Sequence, residues 1–406
     1  MNCKMCQSET LKSFLDLGHV PRVDRFLTKN ELNEPEILYP LNLLICEKCG
    51  LVQLGYVVSA ELLFNEHYAY DSRITKKRLD SYDEFSKYVI KNFNLQKESL
   101  IIDIGSNSGL LLDCFQNQGM QVLGIDPSSN IVKIANEKGI ETIDGFFNVD
   151  LVNTTLSNYK SPSVVTATNV FAHIQDYENF GIALKKLIKD DGIFIFQVPY
   201  FLHLLENLEY DTIYHEHLCY FGLKPLKEFF NTLNMEIFQI LETDLDGGSI
   251  RCFVSKKGSK KISSIVETMF KKEEKSEMYS MKRLEKFAKD VASQKNALIE
   301  LLVDLKKKNK RIVGVSAPAK GMTLLNYCKI DNTLLEYITE KSELKIGKYS
   351  PGMHIEVKPD SVLLEDKPDY ALLLAWNFAD EIMNNLKEFK NNGGHFIIPI
   401  PFPKII

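Results

Sequence analysis

The eight cysteines of this 406-residue chain fall into two kinds. Cys3 and Cys6 form CKMC, and Cys46 and Cys49 form CEKC. Two residues between cysteines let both thiolates of a tight turn face one ion, and two such knuckles complete the four-sulfur shell that zinc prefers. A redox dithiol is the competing reading, although that chemistry usually needs a single pair at a helix start. A closed sulfur shell holds no water to activate. The metal is therefore expected to stabilise a small domain with little core of its own rather than to perform catalysis. Cys114, Cys219, Cys252 and Cys328 are scattered and read as buried thiols.

A second concentration of chemistry is Tyr214, His215, Glu216 and His217. Two imidazoles, a carboxyl and a phenol are costly to bury unpaired, which favours a wet or functional pocket. A polar cluster satisfied within a core and a metal held by the HxH spacing are the alternatives. The third is DIGSNSG, residues 103–109, which follows an apolar run and precedes a helical pattern. There Gly105 and Gly109 stand where backbone must approach a ligand closely. The loop is not the dinucleotide GxGxxG. Asp126, in GIDPS, ends the next apolar run, and a carboxylate there can accept hydrogen bonds from both hydroxyls of a ribose. An ordinary glycine turn followed by a loop aspartate is the plainer reading. Phe147 and Asn169 fall near the carboxyl ends of later strands, where ligands of open sheets collect.

The elements that must position these residues are legible as an alternation. SLIIDIG, QVLGID, SVVTATNVF and GIFIFQVP read as buried strands, separated by the helical patterns LLLDCFQNQG, NIVKIANEKG and ALKKLIKD. Such alternation predicts a mostly parallel, doubly wound sheet with helices on both faces. From Lys271 to Lys310, Leu284, Phe287, Val291, Leu298, Leu302 and Leu305 recur at helical spacing, which predicts one long amphipathic helix. Its lysines and glutamates read as a solvated face. RIVGVSA, LLEYIT, YALLLAW and HFIIPIP then begin a second alternation and a second open α/β sheet. The expected division is 1–70 for a zinc-binding domain, 71–258 for a Rossmann-like domain, 259–310 for the connecting helix and 311–406 for a C-terminal α/β domain.

Composition removes several classes. Hydrophobic residues at 45% with only 14 prolines exclude wholesale disorder and collagen-like structure. A net charge of −5 gives no general attraction to nucleic acid or anionic membranes, and neither is an expected partner. The start of the chain lacks a signal-peptide pattern, and no stretch approaches the ~18 apolar residues of a membrane span, so a cytoplasmic location is expected.

DIGSNSG with GIDPS resembles the S-adenosylmethionine site of class I methyltransferases. The whole layout resembles the nucleotide-sugar C-methyltransferases of deoxysugar biosynthesis. The likeness is carried by the paired CxxC knuckles, VPYFLHLLENLEYDTIYHEHLCYF, DGGSIR, APAKGMTLLNY and KIGKYSPG, which together span nearly the whole chain.

That resemblance implies a class I methyltransferase core between a zinc-binding domain and a Rossmann-like C-terminal domain, with structural zinc and S-adenosylmethionine as cofactors. It implies a methyl donor held by Asp103, Gly105, Asn107, Gly109, Asp126, Phe147 and Asn169. It further implies that His217 removes a proton from the carbon beside a keto group, giving an enolate that attacks the donor's methyl. An imidazole with an ordinary pKa near ~6.5 suits this task, and a positioned base contributes roughly 10²–10⁴-fold. Glu216 would orient or polarise that imidazole, and Tyr214 would hydrogen-bond the keto oxygen or the enolate. Tyr68 and Tyr70 fall where the family carries aromatic residues near donor and acceptor, although tyrosines spaced by two also read as one face of a strand.

For the nucleotide sugar, Tyr200, His215, Arg251, Ser316 and Lys320 are the candidate contacts, with Lys320 and Arg251 directed at the diphosphate. Three positions depart from the family pattern: Ser108 stands for an acidic residue, Asp246 for a histidine and Ser316 for a glycine. A sugar O-methyltransferase and a zinc-ribbon module binding RNA or protein are the competing functions. A monomer is expected, with a dimer through the apolar face of the long helix as the alternative.

Overall fold

A computed structural model describes residues 1–63, 76–189 and 191–406, with the side chains of Lys76, Lys77 and Asp246 outside the description. Tyr68 and Tyr70 lie outside the described residues. Three sheets organise the chain.

The first is antiparallel and begins with β1 (Leu11–Val20), β2 (Tyr39–Cys46) and β3 (Val52–Leu54). Its turns carry the cysteines: Cys3 and Cys6 precede β1, Cys46 ends β2, and Cys49 lies in the turn to β3. Gln53, fully buried on β3, accepts from the Lys4 amide at 2.8 Å and donates to the Asn2 carbonyl, tying the two knuckles together.

The second sheet contains β4 (Leu100–Ile104), β5 (Gln121–Asp126), β6 (Thr142–Asp144), β7 (Val164–Thr168) and β8 (Ile193–Pro199), all parallel. Next in the chain comes β9 (Cys219–Tyr220), which leaves this sheet and pairs with β3 as the fourth strand of the first one. An antiparallel hairpin, β10 (Met235–Thr243) and β11 (Ser249–Lys256), completes the second sheet in the order β10-β11-β8-β7-β4-β5-β6. β4 is buried at every position, as a central strand covered by helices on both faces must be. The strand order reverses between β4 and β7, and that switch point opens a crevice at the strands' carboxyl ends.

The third sheet runs through β12 (Ile312–Val315), β13 (Ile338–Glu340), β14 (Val357–Pro359), β15 (Tyr370–Leu373), β16 (His395–Ile398) and β17 (Lys404–Ile405). Its order is β14-β13-β12-β15-β16-β17, parallel except for the last strand. It too has a switch point, beside β12.

The single long helix expected from Lys271 to Lys310 is instead two, Ser264–Ser276 and Met281–Lys307. Glu277 turns left-handed (φ 54°), and Ser280 caps the second helix by accepting from the Arg283 amide at 3.2 Å. Helical periodicity continues on both sides of this break, which is why the pattern alone joins the two. The apolar stripe is as expected: Leu284, Phe287, Val291, Leu298 and Leu302 are fully buried, each such burial contributing about 1.5–3 kcal/mol. It docks within the chain, against β1 and the helix Ala319–Cys328. Gln294, on the same face, accepts from the Tyr210 hydroxyl at 2.6 Å and donates to the Pro399 carbonyl at 2.7 Å. Among the described residues, no helix is long and apolar enough to cross a membrane.

Candidate functional site

A cleft of about 770 Å³ runs between the carboxyl ends of β4, β5 and β7 and those of β12 and β13, with the YHEH segment as its floor. One wall belongs to the second sheet. Gly105 (φ +65°) lines it, and a Cβ there would come within 2.2 Å of Val170 Cγ2, so only glycine fits. Asp126 accepts from the Asn107 amide and the Ser128 amide, both at 2.9 Å, so its carboxylate is held rigidly at the end of β5. Burial pushes the Asp126 carboxyl up, against the pull of those amides. Asp103 is more deeply buried, accepts from the Thr166 hydroxyl at 2.6 Å, and is pushed up to about 7 by burial. Phe147 and Asn169 line the same wall, Asn169 in a left-handed conformation (φ 59°). Gly109 does not face the cleft. Its left-handed turn (φ +79°) starts the helix Leu110–Gln116, and a Cβ would meet Ile140 Cγ2 at 2.9 Å, so packing rather than ligand approach demands glycine there.

The floor is built by a tight turn at Tyr210–Thr212 on one side and β9 on the other. The Leu54 amide donates to the Leu218 carbonyl at 2.9 Å, so the zinc-knuckle sheet grips the chain one residue after His217. His217 Nδ1 lies 2.9 Å from the Thr212 carbonyl, which can only accept. Nδ1 therefore carries a hydrogen, and in the neutral ring Nε2 presents its lone pair to the Tyr214 hydroxyl, 2.9 Å away. His173 stacks on His217 with ring centroids 5.2 Å apart, and burial, reinforced by that neighbour, holds it well below the usual histidine range. Sequence pattern gave no sign of His173, an isolated histidine in FAH.

Two members of YHEH do something other than expected. Glu216 is not the group that orients the imidazole, because Thr212 fills that position. Its carboxyl bonds to Asp24 of the first domain, and burial together with that second carboxyl pushes it well up, against the pull of Lys345 and Arg22. Both acids line the cleft. His215 turns away from the cleft, with Nε2 3.1 Å from the Pro40 carbonyl and its ring edge-on to Tyr39. It joins the zinc-knuckle domain to the floor.

The opposite wall comes from the third sheet. Ser316 (φ 67°) follows β12, and Lys320 stands in the first turn of the helix Ala319–Cys328, both facing the cleft. Lys320 Nζ is buried 4.6 Å over the Trp376 ring and has no hydrogen-bond partner among the described residues. The Trp376 indole donates to Asp211 at 2.6 Å, which anchors this wall to the floor.

Arg251 and Tyr200 lie outside the cleft. The Arg251 guanidinium bonds to Gln197 at 2.7 Å and Ser81 at 3.1 Å and stacks 4.3 Å over Phe85, fastening the helix Lys76–Asn92 to the second sheet. Tyr200 is fully buried and donates to Glu273 at 3.0 Å. Motif position suggested both for substrate contact, but tertiary packing uses them to hold helices. Arg78 and Tyr82 of the helix Lys76–Asn92 take places on the cleft that the sequence did not reveal.

The four amino-terminal sulfurs fit one metal ion. A tetrahedron with Zn–S near ~2.3 Å places sulfurs about 3.8 Å apart. Cys3 and Cys49 are 3.5 Å apart, Cys6 and Cys46 are 3.6 Å apart, and all four lie within 4.8 Å of one another. Cys3, Cys6, Cys46 and Cys49 would therefore hold zinc with no position left for water.

Three family models match in order along the chain: a zinc binding domain over residues 3–64, a methyltransferase domain over 70–240 and a C-methyltransferase C-terminal domain over 244–401. The C-methyltransferase NovU of Streptomyces niveus is 30% identical over 405 residues, covering 100% of this chain and 96% of that protein. Among solved structures, the magnesium protoporphyrin IX methyltransferase ChlM from Synechocystis PCC 6803 with bound SAH is 15% identical, with TM-score 0.35, covering 46% of this chain and 90% of that one. The end-to-end match, over a fold with the switch-point crevice and the four-cysteine cluster, means that the chain belongs to the S-adenosylmethionine-dependent C-methyltransferase family, with its zinc-binding amino-terminal domain.

Proposed function

We propose that the enzyme methylates a carbon beside the keto group of a nucleotide-linked deoxysugar, through an enolate, with the Tyr214–His217 pair as its base. The observation that carries this reading is the polarity of that pair. Thr212 accepts Nδ1–H, so the lone pair of Nε2 points at Tyr214 rather than into bulk water.

As the carbon gives up its proton to the Tyr214 oxygen, the hydroxyl proton of Tyr214 passes to Nε2, and the C–H electrons move into the enolate. The imidazolium formed keeps its Nδ1–H bond to Thr212. Stacked beside it, His173 stays neutral and adds no opposing charge. Asp126 would hold the ribose of S-adenosylmethionine at the adjoining wall, with Asn107, Phe147 and Asn169 around it. Bound there, that cofactor supplies an electrophilic methyl group. Ser316 and Lys320 on the far wall suit the diphosphate, since Lys320 presents a buried ammonium without a hydrogen-bond partner among the described residues.

The test is solvent exchange. Candidate keto nucleotide sugars are incubated in heavy water with the enzyme and S-adenosylhomocysteine, and the carbons beside the ketone are followed by NMR. Deuterium should enter at one carbon, and both His217→Ala and Tyr214→Phe should slow its entry by roughly 10²-fold or more. With a substrate that accepts the methyl group, exchange no faster than in buffer would replace this reading with oxygen methylation.

A further inference from the structure

The two open sheets facing each other across the cleft carry the same device. In the second sheet, the residue that follows β4 is left-handed Gly105 (φ 65°), whose amide donates to the Ile125 carbonyl at 2.7 Å. The next residue on β5 is Asp126, whose carboxylate reaches back to the amide of Asn107 and forward to the amide of Ser128. In the third sheet, the residue after β12 is left-handed Ser316 (φ 67°), whose amide donates to the Thr339 carbonyl at 2.8 Å. The next residue on β13 is Glu340. Its Oε2 accepts from the Ala317 amide at 2.8 Å, and its Oε1 accepts from the amides of Lys341 at 2.7 Å and Ser342 at 3.2 Å. In both sheets the acid ends the strand parallel to and beside the one that feeds the loop, and both acids line the cleft.

We infer that Glu340 is the counterpart of Asp126: it accepts a hydrogen bond from a sugar hydroxyl of a nucleoside bound to the third sheet, with that nucleoside's diphosphate toward Lys320. The inference rests on the nucleotide-sugar reading above and adds which group holds the nucleoside. A carboxylate has about four acceptor positions. Amides fill three at Glu340, leaving one on Oε2, and the amides of Asn107 and Ser128 with the Ser128 hydroxyl likewise leave one at Asp126. Glu340 thus has room for one hydroxyl, and the 3′-hydroxyl, shared by ribose and 2′-deoxyribose, is the group assigned to it. The loop before Lys320 fixes the spacing, since the Ala317 amide that Glu340 grips is three residues from that ammonium.

Calorimetric titration with UDP, GDP and thymidine 5′-diphosphate identifies the tightest of the three, and its 2′,3′-dideoxy analogue is then compared on the wild-type enzyme and on Glu340→Gln. The hydroxylated ligand should bind Glu340→Gln about 10- to 100-fold more weakly, as expected for one charge-assisted hydrogen bond. The dideoxy analogue should bind both proteins within about twofold, and S-adenosylhomocysteine should be unaffected. Equal losses for the hydroxylated and dideoxy ligands would mean that Glu340 only shapes the loop, and would overturn the assignment. Should Glu340→Gln also lose S-adenosylhomocysteine, the wild-type enzyme decides: a dideoxy penalty of at least tenfold supports the contact, and none overturns it. A wild-type enzyme that binds S-adenosylhomocysteine but none of the three diphosphates would remove the nucleotide-sugar reading itself, and this inference with it.

Discussion

The two halves of the cleft are built by opposite means. The wall beside β4 and β5 is local: Gly105, Asn107 and Asp126 belong to one strand-loop-helix unit and its neighbouring strand, and their bonds close within that sheet. The floor is assembled from distant segments. His217 is oriented by Thr212, Glu216 bonds to Asp24, His215 leans on Pro40, and β9 completes a sheet that begins at Leu11. A wall made locally should survive injury elsewhere, whereas a floor made by pairing domains should fail when any partner is lost.

Removing the zinc that the four cysteines would hold tests this contrast most severely. A double Cys3→Ser/Cys46→Ser variant, or exhaustive chelation, should loosen β3 and with it β9, the strand that grips the chain after His217. Methyl transfer should fall by about 10³-fold or more, beyond the 10²–10⁴ range's lower end for losing a base alone, because orientation and base are lost together. Calorimetry should show S-adenosylhomocysteine binding within about threefold of the intact enzyme. Equal loss of both would show that the cluster supports the whole molecule and not the floor in particular.

A narrower cut is His217→Ala, which leaves β9 and the cluster in place. It should lower kcat by roughly 10²-fold or more with KM for the acceptor little changed, and Tyr214→Phe should lower it comparably. A matching rise in KM without loss of kcat would make the pair a binding element. These two variants separate the chemistry of the floor from its assembly.

How much of each half could be read from the sequence follows from the same contrast. Asp103, Gly105 and Asp126 were legible because the apolar runs of β4 and β5, a glycine turn and a terminal acid lie close together in the chain. The four cysteines were legible because their chemistry depends on spacing. Arg251 and Tyr200 were misplaced because motif proximity does not say which way a side chain points, and each is taken up by a helix that packs from afar, at Ser81 and Glu273. Asp24 and His173 carry no local pattern at all. The break at Glu277 was hidden for the same reason: apolar residues keep their helical spacing across it, and only the left-handed backbone ends the first helix.

Charge gives a milder way to sharpen the comparison. Asp103 sits in the local wall, pushed up to about 7 by burial from an ordinary value of 3.8. The folded state therefore holds the proton more tightly than the unfolded chain, and stability should decline as pH rises between about 4 and 7. Asp103→Asn keeps an oxygen for the Thr166 hydroxyl and cannot ionise. Chemical denaturation should find the variant little changed at pH 4 but more stable than the wild type by a few kcal/mol at pH 8. A gap that does not widen with pH would mean that Asp103 is compensated by a charge the local wall does not contain.

The smallest effect expected is at Arg251, where the two building methods meet. The residue lies in DGGSIR, the motif that suggested substrate contact, yet its guanidinium spans Gln197, Ser81 and Phe85 and so belongs to the frame behind the β4 wall. Arg251→Met keeps the aliphatic stem but removes the guanidinium that stacks on Phe85 and its hydrogen bonds to Gln197 and Ser81. It should lower the free energy of unfolding by about 1–3 kcal/mol, the usual cost of leaving buried polar partners unmet. KM for the acceptor should stay within about twofold, because no part of Arg251 lines the cleft. A tenfold rise in that KM with stability unchanged would return Arg251 to the diphosphate, and would mean that the helix Lys76–Asn92 moves aside when substrate binds.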